Sequence, residues 1–354
     1  MNRKRSRYEF SSFLTFNNHP QEFRLSNDCT STNKISDYEL TSRVGEGSYG
    51  VVFRARHRKN KKTYAIKRMK LMESFNSHLR EINALRRLKK HENIVHLSEI
   101  VTGEGDMFDV TYLVLDFCLQ DLAVILDKHD KENPAFLMPA VKNLAKQLFT
   151  GLEYMHSNHI IHRDIKCSNI LLAEGGVLKI SDFGLTRRIN NVEPSTPGVV
   201  TLWYRSPELI YSIKNNIQTG AVDAWAAACV VCELIQNSVL FKSKGELDLI
   251  SMHIKLLGSP DKQKWPEFST QAISIKPQPY NRLSSKFLFL TKSAIDLLTG
   301  LLTYNPKKRM TMREALDFED FWVSKPLPCD NYLIPTFPEL RQTFDVDDRH
   351  FNLE

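Results

Sequence analysis

The sequence predicts an α+β fold of two lobes: a small N-terminal lobe with an antiparallel β-sheet and one key helix, and a larger, mostly α-helical C-terminal lobe. Alternating apolar residues predict strands at 38–44, 51–56 and 63–68, followed by an amphipathic helix over 77–89. Apolar residues at helical spacing over 141–156 predict a long core helix. The chain has 354 residues, more than one hydrophobic core usually organises, and this length also favours two lobes.

These elements divide the chain into four parts. Residues 1–35 are rich in Ser, Asn, Arg and Thr, which predicts a flexible basic tail. The N-terminal lobe is expected at 36–117 and the C-terminal lobe at 118–325. Residues 326–354 form a C-terminal extension, whose last stretch from 344 is polar and predicted to be loose.

The composition is typical of a globular protein and disfavours a membrane protein. Hydrophobic residues make up 42% of the chain and charged residues 25%. No run approaches the roughly 18 unbroken apolar residues of a membrane helix, and the first residues are polar and basic. We therefore expect an intracellular protein, in the nucleus, the cytoplasm or both, with no membrane partner.

The net charge of +7 raises the question of nucleic acid as a partner. The basic residues are scattered, however, without a sustained stripe with interleaved aromatic residues, and this disfavours nucleic-acid binding. The basic run at 3–7 fits a nuclear import signal and a solvated tail equally well. Cys229 and Cys232 form a single Cys-x-x-Cys inside an apolar run, which favours core packing over metal or redox chemistry.

The stretch 161–184 carries the residues on which a function can be built. Short apolar segments flank a turn at 173–176, so Asp164, Asn169 and Asp182 are expected to converge at one end of a hairpin. Carboxylate and amide oxygens suit Mg²⁺, which keeps waters and substrate phosphates in its shell. Asn169 and Asp182 are therefore predicted to hold Mg²⁺, while Asp164 accepts a proton from a hydroxyl.

Five motifs follow one another along the chain: a glycine-rich loop at 45–50, Ala-Ile-Lys at 65–67, His-Arg-Asp at 162–164, Asp-Phe-Gly at 182–184 and Ser-Pro-Glu at 206–208. Each motif alone is weak, since Asp-Phe-Gly is a common tripeptide and the glycine spacing also occurs in dinucleotide-binding folds. In this order they resemble the eukaryotic protein kinases. The resemblance covers about residues 36–340 and implies ATP and Mg²⁺ as cofactors.

The kinase resemblance implies roles for individual residues. Lys67 would pair with the ATP phosphates and with Glu81, although a lone lysine there would also fit a solvated strand edge. Lys166 would steady the transferred phosphate, as in serine/threonine kinases, and Thr201 would bond Asp164 and Lys166. The nucleotide would be held by Val44, Gly45, Glu46, Gly47, Ser48, Tyr49, Gly50, Val52, Ala65, Lys67, Asp116, Cys118, Asp121 and Leu171.

Two segments resemble the cyclin-dependent kinases in particular. Leu79-Arg80-Glu81-Ile82 is similar to the helix with which those kinases grip a cyclin, and the sequence at 199–205 matches their activation segment. Segments 276–281 and 326–338 resemble the branch that contains cyclin-dependent kinases ten and eleven. A cyclin is therefore the expected partner.

The same resemblance implies regulation by phosphorylation. Thr196 would be the activating site, and its phosphate would be bound by Arg80, Arg163 and Arg187, unless these arginines pair with nearby acids instead. Ser48 and Tyr49 match inhibitory phosphorylation positions, although they would also be unremarkable polar residues at a loop tip.

The resemblance also implies a substrate preference. Val199, Val200 and Arg205 resemble the shelf that accepts proline after the phosphorylated residue. We therefore expect protein substrates with Ser/Thr-Pro sites. Two structural pairings are implied as well: Glu208 with Arg309, and Asp223 with the backbone of the catalytic loop.

Several positions depart from the family pattern. Phe75 stands where proline opens the cyclin-binding signature, and the segment between Lys67 and Glu81 is short, so a cyclin would be gripped differently. Small substitutions occur in three other motifs, at Thr186, Ser206 and Ala228. These three bear on stability or rate rather than on the chemistry.

The hypothesis is a cyclin-activated serine/threonine kinase with a role in cell division or in transcription and splicing. The runner-up is a pseudokinase that binds without turnover, against which the complete set Lys67, Asp164 and Asp182 argues. A nucleic-acid binder would instead show affinity that falls steeply with salt.

Overall fold

The computed structural model describes residues 30–47, 50–69, 75–103, 111–130, 132–189, 201–210, 218–260, 265, 278–337 and 344–345. The chain divides into two compact units. The N-terminal unit takes residues 1–87, 96–117 and 343–354, and the C-terminal unit takes 88–95 and 118–342. The chain passes from the first unit to the second between Phe117 and Cys118.

The N-terminal unit is built on a seven-stranded sheet with the strand order β1-β5-β6-β4-β3-β2-β12. All neighbouring pairs are antiparallel except β1 with β5. The strands are β1 Thr30–Lys34, β2 Tyr38–Gly47, β3 Gly50–His57, β4 Thr63–Met69, β5 Leu97–Thr102, β6 Thr111–Asp116 and β12 Phe344–Asp345. Helix α1, Phe75–Leu88, follows β4.

The sheet forms because period-two alternation in its central strands gives it an apolar face. The core of this unit consists of Tyr38, Ala55, Tyr64, Ile66, Val101, Tyr112 and Val114. Val114 and Ile66 are opposite each other in the register of β6 and β4, and both are fully buried. Helix α1 buries Ile82, Leu85 and Leu88, which have the helical spacing read from the sequence.

The terminal strands differ from the sequence prediction. The predicted tail ends at residue 35, but β1 already pairs with β5, and the predicted loose stretch from 344 begins with β12, which pairs with β2. Both additions complete sheet edges through backbone hydrogen bonds. Polar residues can form such bonds without hydrophobic periodicity, so the pattern of the sequence did not reveal them.

The C-terminal unit is mostly helical, as predicted. Its helices are α2 Leu122–Asp127, α3 Met138–Ser157, α4 Pro207–Ile210, α5 Ala221–Gln236, α6 Glu246–Leu257, α7 Leu283–Lys286, α8 Lys292–Leu301, α9 Met312–Leu316 and α10 Glu319–Val323. Short strands β7 Gln120–Asp121, β9 Ile170–Leu172 and β10 Leu178–Ile180 form one sheet, and β8 Ile160–Ile161 pairs with β11 Arg187–Arg188. Cys229 and Cys232 are buried free thiols on α5, which confirms their packing role.

The beginning of the predicted C-terminal extension packs on α3. The Asn143 side chain donates to Cys329 O at 2.6 Å and to Asn331 Oδ1 at 2.9 Å, and Ile334 is buried. Gly176, at φ 75°, lies so close that a Cβ there would come within 2.0 Å of Asn331 O. Residues 326–337 are thus an integral part of this unit.

Across the part of the chain that the structure describes, no helix combines the length and apolar character needed to cross a membrane.

Candidate active site

The N-terminal unit holds an ion pair between β4 and α1. Lys67 Nζ donates to both carboxylate oxygens of Glu81, at 2.8 and 2.7 Å. Both residues are buried, with 8% of Lys67 and 2% of Glu81 exposed. A buried ammonium ion and carboxylate stabilise each other strongly only in close, well-formed geometry, which this pair has. The pair predicted from the sequence is therefore formed.

The predicted nucleotide contacts of this unit lie in register beside Lys67. Val52 on β3 is opposite Lys67, and Ala65 on β4 is opposite Leu115 on β6. Cross-strand partners share a face of the sheet, and so do residues two apart along a strand. Val52, Ala65 and Lys67 consequently occupy one face.

The glycine-rich segment extends the strands further than predicted. Val44, Gly45, Glu46 and Gly47 belong to β2, and Gly47 pairs with Gly50 at the start of β3. Gly50 has φ 146°, and a Cβ there would meet Arg68 O at 2.1 Å, so only glycine fits. Ser48 and Tyr49, at the tip, lie outside the described residues.

The segment predicted to bind adenine and ribose begins at the end of β6. The Asp116 N–H donates to His96 O at 3.1 Å, so a contact between Asp116 and adenine would use its carbonyl. Cys118 is buried. Asp121 caps α2, accepting from Val124 N at 2.9 Å, and it is opposite Leu171 in the pairing of β7 with β9.

The catalytic loop brings three predicted site residues together in the C-terminal unit. Asp164 Oδ2 lies 2.8 Å from Lys166 Nζ and accepts from Asn169 Nδ2 at 2.9 Å. Asn169 Nδ2 also donates to Asp164 O at 2.8 Å. Because Oδ2 is held on both sides, Oδ1 is the oxygen of Asp164 that can receive an incoming hydroxyl.

His162 fixes the backbone next to Asp164. The Asp164 N–H donates to His162 Nδ1 at 3.3 Å, and His162 Nε2 lies 3.0 Å from Ser181 O. A nitrogen that accepts carries no proton, so the proton of the neutral ring is on Nε2, which donates to Ser181. The histidine thereby links the catalytic loop to the segment that carries Asp182.

Asp223 anchors the same loop from helix α5, as predicted. Its carboxylate accepts from His162 N at 2.8 Å and from Arg163 N at 2.7 Å, and it also lies 2.9 Å from His156 Nε2. Burial by itself would raise the pKa of Asp223, but the hydrogen bond and charge of His156 and the N–H of Arg163 outweigh burial and lower it. Asp223 therefore remains a carboxylate that holds the loop.

The donor atoms at Asn169 and Asp182 fit a magnesium ion. Asn169 uses its amide nitrogen for Asp164, which leaves Oδ1 to face a metal. Its backbone carbonyl accepts from Ser181 N at 2.9 Å and Ser181 Oγ at 3.0 Å, so Asn169 lies beside the residue before Asp182. Within the described ranges, no group of three or more His, Cys, Asp and Glu side chains is placed so that it could hold a metal ion. An ion here would complete its shell with phosphate oxygens and water, as Mg²⁺ does.

Two residues of these loops have unusual backbone conformations. Arg163 has φ 72° and Asp182 has φ 63°, in the left-handed region that side chains other than glycine seldom occupy. Such strain persists where the surroundings impose it, and it concentrates at functional sites.

The activation segment is described only in part. Thr196, Val199 and Val200 lie outside the described residues. Thr201 precedes a helical turn at 202–204, and its bond to Asp164 and Lys166 stays a prediction. Arg163 Nη1 donates to Leu185 O at 3.2 Å, while Arg187 belongs to β11 and Arg80 to α1. The role of these arginines as a phosphate receptor also stays a prediction.

The predicted pair of Glu208 and Arg309 is formed. The guanidinium donates to both carboxylate oxygens at 2.7 Å, and both side chains are buried. Sequence reasoning missed a second buried acid, Glu233, whose Oε2 accepts from Tyr204 Oη at 2.6 Å. Burial raises the pKa of Glu233, although hydrogen bonds from Tyr204 and Cys167 oppose this effect. Glu233 sits in an apolar run, and no local pattern marked it.

The fold and these residues define a protein kinase. The family model of the protein kinase domain matches residues 38–321. The chain is 40% identical over 331 residues to Cyclin-dependent kinase 10 of Mus musculus, which covers 91% of this chain and 88% of that relative. It is 38% identical over 304 residues to Cyclin-dependent kinase 11 of Dictyostelium discoideum, and this match covers 83% of this chain and 82% of that relative.

A chain of a solved complex is also similar to this chain in structure and in sequence. The CAK complex from Chaetomium thermophilum bound to ATP-gamma-S contains a chain that matches with a TM-score of 0.74 at 30% identity, covering 84% of this chain and 95% of that chain. The chain belongs to the protein kinase family and is of the cyclin-dependent type, an ATP-dependent serine/threonine protein kinase that uses Mg²⁺. The predicted fold class and the resemblance to the branch of kinases ten and eleven are confirmed.

Proposed function

We propose that the chain transfers the γ-phosphoryl group of MgATP to serine or threonine residues followed by proline, and that a cyclin activates it. The observation that carries the proposal is the cluster of Asp164, Lys166 and Asn169 beside a fully anchored loop. Pairing between Lys67 and Glu81 supports it from the other unit.

The residues act in the following way. The hydroxyl oxygen of the substrate forms a bond to the γ-phosphorus while the bond from that phosphorus to the β,γ-bridging oxygen breaks, and ADP leaves. Asp164 Oδ1 orients the hydroxyl and takes its proton. Lys166 stabilises the negative charge on the transferred group, and Lys67, held by Glu81, binds the α- and β-phosphates. Asn169 Oδ1 and Asp182 would hold Mg²⁺, which would supply positive charge to offset the negative charge of the nucleotide phosphates.

The proline preference rests on the activation segment and on the relatives named cyclin-dependent kinases. A proline has no N–H, so a surface that offers no acceptor at this position tolerates it without loss. Arg205, one of the predicted shelf residues, is held by Glu246, with Nη1 at 3.2 Å from Oε1. Activation by a cyclin rests on α1, because contact with that helix would hold Glu81 against Lys67. A nuclear or cytoplasmic role in cell division or transcription and splicing follows from the branch alone.

The test measures phosphate transfer by the full chain to a Ser-Pro peptide and to a matched Ser-Ala peptide, with and without candidate cyclins. We expect a cyclin to switch on transfer, and the Ser-Ala peptide to be poorer by about tenfold or more in kcat/KM. Lys67→Met and Asp182→Asn should each lower kcat by about a hundredfold or more.

A different experimental result would refute each part of the proposal. Equal rates on the two peptides would refute the proline preference, and full activity of the chain alone would refute cyclin activation. If no cyclin gives turnover although MgATP binds, the chain is a binding scaffold, and the short segment before Phe75 becomes the place to examine.

A further inference from the structure

The C-terminal unit carries a groove that the catalytic residues do not use. It has a volume of about 370 Å³ and is called here the α6–α7 groove. Its lining residues are Leu240, Phe241, Met252, Lys255, Leu256, Arg282, Ser285 and Lys286. None of them belongs to the predicted catalytic, nucleotide, metal or regulatory sets.

The groove combines an apolar floor with a basic rim. Phe241 is buried, and Leu240, Met252 and Leu256 are half-buried, so they form the floor. Among the described lining residues, the charged ones are all exposed cations: Lys255, Arg282 and Lys286. A ligand that satisfies both surfaces must present an apolar group and negative charges together.

The rim is partly organised before any ligand arrives. The Arg282 N–H donates to Leu256 O at 2.7 Å, which fixes the start of α7 to the end of α6. With the Gln278 amide oriented so that its oxygen faces Arg282, that oxygen accepts from Nε at 2.7 Å and from Nη2 at 2.8 Å. The guanidinium is thus held in place through Nε and Nη2. This ordering lowers the entropic cost of binding a carboxylate.

We propose that the α6–α7 groove docks an acidic peptide segment of a partner protein, in which one apolar side chain is flanked by Asp or Glu. The apolar side chain fills the floor, and the carboxylates pair with Lys255, Arg282 and Lys286. Charge complementarity carries the choice of occupant, because an apolar floor gives no advantage to a phosphate backbone and a concave groove gives none to a flat membrane. This goes beyond the proposed reaction, since it would anchor a substrate or a regulator by residues that take no part in phosphate transfer.

The test uses the full chain and a fluorescein-labelled peptide, Gly-Glu-Asp-Leu-Glu-Asp-Gly, with fluorescence anisotropy as the readout. We expect the double variant Lys255→Glu/Lys286→Glu to bind about tenfold or more weakly than the parent chain. A peptide with Gln and Asn in place of the acids should bind equally poorly to both proteins. Met252→Ser should also weaken binding, with the salt dependence unchanged, because it alters the floor and not the rim.

The matched control is Lys90→Glu/Lys308→Glu, which makes the same change of net charge at exposed lysines elsewhere in this unit. Its affinity for the peptide should stay within about twofold of the parent. An equal loss in the control would reduce the effect to general electrostatics and overturn the proposal. So would unchanged binding by the rim variant, or rim-dependent binding of an RNA oligonucleotide or an anionic vesicle in place of the peptide.

The outcome can be separated from the kinase proposal. Transfer of phosphate to a short Ser-Pro peptide should be the same in the rim variant and the parent. Such a peptide contains no acidic docking segment, so its binding does not depend on the residues of the groove. Peptide binding by anisotropy does not require turnover, so a failure of the kinase proposal leaves this test valid. Thermal melts of both double variants verify that they are folded.

Discussion

At the scale of single residues, two departures from the kinase pattern differ in the hydrogen bonding of their buried hydroxyl groups. Thr186 is buried, and its hydroxyl donates to Phe183 O at 2.7 Å. Ser206 is buried too, with 1% exposed, but its hydroxyl has no hydrogen-bond partner among the described residues. A buried hydroxyl that is left unsatisfied costs free energy, whereas a satisfied one contributes. Replacing each of these two residues with alanine should therefore change the free energy of unfolding in opposite directions.

We expect Ser206→Ala to raise the free energy of unfolding by about 1 kcal/mol, because the alanine removes an unsatisfied polar group. Thr186→Ala should lower the same quantity by about 1 kcal/mol, because it deletes a hydrogen bond and a buried methyl group. Urea unfolding followed by tryptophan fluorescence measures both variants. Destabilisation by Ser206→Ala would show that this hydroxyl makes a contact that stabilises the fold.

At the scale of elements, Arg309 joins several segments that local sequence does not connect. Besides its paired bonds to Glu208 on α4, it donates to Ala221 O, at the start of α5, at 2.7 Å. It also donates to Thr303 O and Tyr304 O, at 2.8 and 3.0 Å. A guanidinium is planar and has five donors, which lets one side chain make all these bonds at once.

Replacing Arg309 with lysine should therefore lower the free energy of unfolding by about 3 kcal/mol, although the charge is kept. An ammonium ion cannot reproduce the paired geometry, and it leaves buried carbonyls without donors. Arg313→Lys is the matched control, since Arg313 pairs with Glu153 and is 66% exposed. We expect the control to change stability by less than about 0.5 kcal/mol. Similar losses in both variants, measured by urea unfolding, would contradict the argument.

At the scale of the whole molecule, short-range patterns predicted the elements well and long-range contacts poorly. The hairpin at 170–180, helix α3 and the pair Lys67–Glu81 follow from periodicity and ordered motifs. Lys142 shows what was missed: it is buried, and its ammonium donates to Phe321 O at 2.7 Å and Ser324 O at 2.6 Å, some 180 residues away in sequence. Burial lowers the pKa of Lys142. Nothing near Lys142 in the sequence distinguishes it from an exposed lysine.

In the candidate site, too, the sequence predicted some features and missed contacts between residues that are distant along the chain. The identities of Asp164, Lys166 and Asn169 and the anchoring of their loop by Asp223 were predicted, because several ordered motifs specify them together. The hydrogen bonds that join Asp164 to Lys166 and to Asn169 were not predicted. The contact of His156 with Asp223, and the burial of Glu233 with Tyr204, depend on how distant helices pack. Such contacts arise only once the chain has folded, and periodicity along one segment cannot report them.

One buried histidine should make the stability of the C-terminal unit depend on pH. His253, on α6, is fully buried between the rings of Trp225 and Phe241, with centroids at 5.0 and 4.5 Å. Neither ring nitrogen has a hydrogen-bond partner in the described part of the chain. Burial, and next the charge of Arg309, lower the pKa of His253 from 6.5 to about 3.

The direction of the effect follows from proton binding. Between pH 6.5 and about 3 the unfolded chain binds a proton at His253 and the folded chain does not, so stability falls as the pH drops through this range. From pH 7.5 to pH 5.5 the loss from this residue is about 1.4 kcal/mol. His253→Leu should abolish that part of the pH dependence, while the other titrating groups act equally in both proteins. Urea unfolding at the two pH values, followed by fluorescence of the tryptophans, all of which lie in the C-terminal unit, measures the difference. Equal losses in the parent and the variant would mean that His253 accepts a proton in the folded state.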